Sequence, residues 1–111
     1  MIEWKNLDSE DQLQSIIEES YNSPQIIFKH STRCMISRMA KRGLESDWSI
    51  DLKPYYLDLI TYRSVSNAIA ESLEVVHQSP QLLLLSNGKS IYHPSHEQIK
   101  FEELTKTLDS L

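Results

Sequence analysis

The 111-residue chain has a single cysteine, Cys34, and that scarcity restricts its chemistry more than any other feature of its composition. One thiol excludes an internal disulfide framework and also a Cys-x-x-Cys site with its own resolving thiol. It agrees with a reducing compartment. A basic excess is missing too: the net charge of −5 leaves no overall footprint for nucleic acid. No apolar run reaches the roughly 20 residues that a helix needs to cross a bilayer. Met1-Ile2-Glu3-Trp4-Lys5 has neither the basic start nor the apolar stretch of a secretory signal. A cytoplasmic protein with neither nucleic acid nor membrane as partner is therefore expected. Repeats, low-complexity tracts and linkers are absent as well, so residues 1–111 are expected to form a single domain.

Hydrophobic residues make up 40% of the chain and charged residues 24%, a globular balance. A strand is expected near Ile2 to Lys5. Asp8 or Ser9 reads as a helix N-cap, with Gln12 completing a capping box. Leu13, Ile16, Ile17 and Tyr21 keep helical spacing until Asn22-Ser23-Pro24. Gln25 to His30 has strand length, and Ser31-Thr32-Arg33 turns the chain into a helix opened by Cys34. That helix carries Ile36, Met39, Ala40 and Leu44, with Gly43 near its end. Tyr55 to Ile60 reads as a third strand after Pro54, and Val65, Ile69, Leu73 and Val76 mark a third helix.

Two apolar runs, Gln81 to Leu85 and Lys89 to Tyr92, flank Asn87-Gly88, a strong hairpin signal. Ser95 and Gln98 suggest a capped turn, and Phe101, Leu104, Leu108 and Leu111 a last helix. The order βαβαβαββα implies parallel pairing early and antiparallel pairing late. The expected fold is α/β, a mixed central sheet flanked by helices on both faces, which is the thioredoxin-like arrangement.

Cys34 is thereby placed at a helix N-terminus, where unpaired N–H groups and the helix dipole favour a thiolate over a thiol. Ser37 stands at the Cys-x-x-Ser spacing, and its hydroxyl is expected to donate to the sulfur. No Asp or Glu lies between Glu19 and Glu45, a window that holds Lys29, Arg33, Arg38, Lys41 and Arg42. Such a setting stabilises a thiolate and attracts an anionic thiol, with Arg33 the best single contact. For Lys41 and Arg42 the simpler reading is a match to the negative helix end. A free cysteine is often only a small buried hydrophobe. Position, the Ser37 spacing and the missing acids argue for function instead. His30, His77, His93 and His96 form no familiar zinc spacing, so no metal is expected.

Phe28-Lys29-His30-Ser31-Thr32-Arg33-Cys34-Met35-Ile36-Ser37, with His77-Gln78-Ser79-Pro80-Gln81 and Tyr92-His93-Pro94-Ser95-His96, resembles the monothiol bacilliredoxins, the YtxJ-like branch of the thioredoxin superfamily. The resemblance implies a monothiol disulfide reductase, or thioltransferase, that takes bacillithiol from protein mixed disulfides in the cytoplasm. Cys34 would be the nucleophile, assisted by Ser37. Thr32, Arg33, Ser79 and Pro80 would contact substrate, Pro80 through a cis peptide bond opposite the thiol. Partners would be a low-molecular-weight thiol, bacillithiol or similar, as co-substrate and S-thiolated proteins; no further cofactor is implied, and a monomer is expected. The chain departs from the pattern at Met35, where the family often has proline. Dithiol thioredoxins carry a buried carboxylate where Phe28 stands, so proton transfer through such an acid is not expected. Two alternatives remain: a non-catalytic binding module using the Ser79-Pro80 groove, and a relative of the iron–sulfur-binding monothiol glutaredoxins.

Overall fold

A computed structural model describes residues 2–111. Five strands form one sheet: β1 (Lys5–Asn6), β2 (Gln25–His30), β3 (Tyr55–Asp58), β4 (Gln81–Ser86) and β5 (Lys89–Tyr92). Their spatial order is β1-β3-β2-β4-β5. β3 runs parallel to both β1 and β2, while β4 is antiparallel to β2 and to β5. Four α-helices cover the sheet: α1 (Glu10–Glu19), α2 (Met35–Asp47), α3 (Arg63–Leu73) and α4 (Phe101–Asp109), with a 3-10 turn at His96–Gln98. The expected α/β architecture and element order are what the chain adopts.

Burial explains why the central strands do not alternate. All six residues of β2 are buried, and Leu82 to Leu85 of β4 have no exposed surface. A strand covered on both faces reads as a continuous apolar run. Successive side chains then feed two cores. Ile27, Leu57, Leu83 and Leu85 pack with Leu13 and Ile16 of α1 and Val65 and Ile69 of α3. Ile26, Phe28, Leu82 and Leu84 pack with Leu44 of α2, Leu104 of α4 and Trp48.

Element ends differ from the sequence pattern for local reasons. The first strand is Lys5–Asn6, paired to Tyr55 and Tyr56, because Trp4 turns inward against Phe28 at 5.6 Å between ring centroids. β3 stops at Asp58, whose carboxylate accepts the N–H groups of Ile60 and Thr61 and closes a turn. α3 stops at Leu73 because Glu74 takes the left-handed conformation, φ 54°, leaving Val76 outside the helix and exposed. α2 continues through Gly43 to Asp47, and Leu111 lies beyond α4, exposed. Ser9 does cap α1 by accepting from the Gln12 N–H, but Gln12 Oε1 accepts from Asp8, one residue upstream of a closed capping box.

Candidate active site

The sheet delivers Cys34 and Pro80 to the same end of the molecule. Lys29 of β2 lies opposite Gln81 of β4, so the turn after His30 and the residues before Gln81 emerge side by side. The Ser79–Pro80 peptide bond is cis, as the sequence reading expects of a proline here. Pro80 is buried, and its carbonyl accepts from the His96 N–H at 3.1 Å. Ser79 Oγ is buried and has no hydrogen-bond partner, so an unsatisfied hydroxyl stands next to the cis bond.

Cys34 is the N-cap residue of α2, partly exposed, with extended backbone angles φ −111° and ψ 122°. Its N–H closes the turn on Ser31 O, and its carbonyl accepts from Arg38 N–H. No side chain caps this helix end, and no acid stands in its first turn. The first N–H groups of α2 therefore have no intrahelical or side-chain acceptor and remain available to an incoming anion or sulfur. Thr32 and Arg33 are exposed on the preceding turn.

Ser37 departs from the expected role. It is fully buried, and its Oγ lies 2.7 Å from His30 Nδ1 while accepting the Ser31 N–H at 3.0 Å. No hydrogen bond joins it to the Cys34 sulfur. Three residues after the N-cap, its side chain points back over the end of β2 rather than toward the sulfur. Ser37 thus holds the turn that carries the thiol. His30 is buried between Phe28 and Tyr56, with ring centroids at 5.8 and 5.5 Å. Burial pushes its pKa down, the Lys41 charge adds to that, and Asp58 and Glu45 oppose it.

The cations of the acid-free window also separate in space. Lys29 is fully buried in β2, on the face of Ile27 and away from α2. Its ammonium donates to His77 Nδ1 at 2.6 Å and reaches Gln81 Oε1 at 3.5 Å. Burial lowers its pKa to about 8. His77 is pushed down by burial and by the Lys29 charge. A lysine inside a strand that reads as apolar has no sequence signal of its own, and by sequence alone Lys29 groups with the cations around the thiol. Lys41 is paired with Glu45 at 2.7 Å. Arg33, Arg38 and Arg42 form no ion pair or side-chain hydrogen bond among the described residues.

Met35 and Met39 are exposed, although Met39 keeps the apolar period of α2. With Ile36, Ala40, His96, Glu97 and Ile99, Met39 lines a cleft of about 300 Å³. His96 connects that cleft to Pro80 through its backbone N–H. Among the described residues no group of three or more His, Cys, Asp or Glu gathers as a metal site. Among the described residues no helix is long and apolar enough to cross a membrane.

A thiol at a helix N-terminus, at the sheet end that also holds a cis proline, on this sheet order, defines a thiol oxidoreductase of the thioredoxin fold. The chain belongs to the monothiol bacilliredoxin BrxC family, whose family model matches residues 5–104. A solved candidate oxidoreductase with a thioredoxin fold is 32% identical, with a TM-score of 0.79 over 93% of this chain and 91% of that one. The thioredoxin of Malassezia sympodialis, at 13% identity, gives a TM-score of 0.75 over 99% and 91% of the two chains. A mutant thioredoxin of Halobacterium salinarum, at 14% identity, gives 0.74 over 97% and 89%. These two likenesses bear on the fold alone.

Proposed function

We propose that the protein removes a low-molecular-weight thiol, bacillithiol being the one its family indicates, from mixed disulfides on proteins. The observation that carries this reading is Cys34 as N-cap of α2, the only thiol in the chain, at the sheet end that also holds cis Pro80. The Cys34 thiolate attacks the small-thiol sulfur of a protein–S–S–R bond. That bond breaks, the protein leaves as a thiolate that takes a proton from water, and Cys34–S–S–R forms. A second R–S⁻ then attacks the R sulfur, producing R–S–S–R and the free Cys34 thiolate. No resolving cysteine exists, so the exchange is monothiol.

In this scheme the backbone around Ser79 pairs with the protein substrate as an added strand, beside a Ser79 hydroxyl that is buried and unpartnered in the free protein. Thr32 and Arg33 meet substrate from the other lip of the site. Ser37 positions the Cys34 turn. The protein acts in the cytoplasm as a monomer, with the small thiol and S-thiolated proteins as its partners and no metal or organic cofactor.

The test uses a model protein carrying bacillithiol in mixed disulfide, and the same protein carrying glutathione. Wild type should release the first thiol faster than the second, and Cys34→Ala should release neither. Release from neither substrate by wild type, or equal release by the variant, refutes the reading.

A further inference from the structure

The stripe of α2 that begins at Cys34 does not end there. At about 100° and 1.5 Å per residue, Arg38, Lys41 and Glu45 fall within roughly 40° of the line that Cys34 starts as N-cap, and Arg42 about 80° from it. Arg38 lies about 6 Å and Arg42 about 12 Å further along the axis. Together with His30 and Tyr56 these residues line a cleft of about 260 Å³. That is below the roughly 300 Å³ at which drug-sized pockets begin, and suits a small organic ion.

Its charge is lopsided. Three cations face one carboxylate, Glu45, which already accepts from Trp4 Nε1 at 2.8 Å and from Lys41 at 2.7 Å. Glu45 and Lys41 largely satisfy each other, and the guanidinium groups of Arg38 and Arg42 are left without partners among the described residues. The floor is formed by the rings of His30 and Tyr56, 5.5 Å apart, whose low polarisability relative to water strengthens the field above it. Planar guanidinium groups match carboxylates bidentately. The cleft flanks β3, whereas Pro80 and the apolar cleft of Ile36, Met39 and Ile99 flank β4. The two flanks of α2, the helix that Cys34 caps, thus offer opposite chemistry.

The geometry points to the Arg38–Arg42 cleft as the binding site for the anionic, carboxylate-bearing part of the small thiol that becomes bonded to Cys34. The protein half of the mixed disulfide lies on the Pro80 side and departs from there. This division rests on the disulfide-exchange reading above. It assigns a role to Arg38, and to Arg42, whose plainest sequence reading is a match to the helix dipole. In the step itself the Cys34 sulfur bonds to the small-thiol sulfur, the protein sulfur takes the electron pair, and the carboxylates stay on the arginines throughout.

The experiment compares two chromogenic disulfides reacting with the reduced protein: dianionic 5,5′-dithiobis(2-nitrobenzoate) and neutral 2,2′-dithiodipyridine. The neutral reagent reports Cys34 nucleophilicity without the carboxylates. In the double variant Arg38→Gln, Arg42→Gln the ratio of anionic to neutral rate constants should fall about tenfold, the lower range of electrostatic focusing by a charged cleft. An equal loss of charge at Lys89→Gln, Lys100→Gln, both exposed, should change that ratio less than twofold. Succinate titrated into Cys34→Ser protein should move the amide resonances of Tyr56 and Arg38. An unchanged ratio in the arginine variant, an equal fall in the lysine variant, or succinate shifts confined to Ser79–Gln81 overturns the assignment. If wild type reacts with neither disulfide, the exchange reading falls and the assignment with it; normal reaction with an unchanged ratio defeats the assignment alone.

Discussion

Ser37 Oγ sits 2.7 Å from His30 Nδ1, joining the first turn of α2 to the last residue of β2 and so fixing the turn on which Cys34 rides. Both residues are buried. Replacing Ser37 by Ala leaves the Ser31 N–H without its acceptor and His30 Nδ1 without its partner. The expected cost is about 1–3 kcal/mol in urea unfolding. A loss below about 0.5 kcal/mol would show that the pair does not hold the turn.

Lys29 and His77 supply a pH signature. The folded-state pKa of Lys29 is lowered to about 8 from 10.5 by burial. Between those values the unfolded chain binds more protons than the folded one, so this group makes stability rise with pH from about 8 to 10.5. Below pH 8 the lysine is charged in both states and the burial penalty is present in full. Lys29→Met should therefore be more stable than wild type at about pH 7, and its advantage should shrink as pH rises toward 10.5. Urea midpoints of both proteins at several pH values check this; an advantage that is flat or grows with pH contradicts the buried charge.

Gly88 closes the β4–β5 hairpin with φ 79°, after Asn87 at φ 53°. The Tyr21 hydroxyl occupies the place where a Cβ would stand. The turn is anchored to Ser20, whose carbonyl accepts from Asn87 N–H and whose Oγ accepts from Gly88 N–H. Gly88→Ala combines a strained φ with a displaced ring and should cost more than about 1 kcal/mol. The turn lies at the opposite end of β4 from Pro80, so the rate of Cys34 alkylation in the folded protein should match wild type.

Met35 is the first residue of α2 and its side chain is exposed. Proline suits this position, since the first helical N–H has no intrahelical acceptor and φ near about −65° is already helical. Met35→Pro should fold with a change in stability below about 0.5 kcal/mol. A large loss on thermal unfolding would show that the Met35 N–H has a partner in the fold.

Much of the architecture is legible in the sequence because it rests on local rules. Asn87-Gly88 needs two positive φ angles, and the residues at those positions announce them. Leu82 to Leu85 can only be a strand covered on both sides. The helix periods of α1 and α3 place Leu13, Ile16, Val65 and Ile69 inside, as found. α2 is harder to read: its apolar residues divide, with Leu44 buried and Met39 exposed, because one flank of the helix borders the site cleft instead of the core.

The sequence by itself determined that any exchange chemistry here is monothiol, since counting cysteines requires no coordinates. It also placed Cys34 at the start of a helix and a proline at the start of β4. Only the tertiary structure decided what those neighbours do. Ser37 turns to His30 and not to the sulfur, because the end of β2 lies beneath it. Lys29 leaves the thiol's surroundings for the opposite face of the sheet, because side chains alternate along a strand. Arg38 and Arg42 come to border a cleft with Tyr56, a residue of β3 far away in sequence. Spacing along the chain sets which groups share a helix face; which strand that face meets is settled by packing.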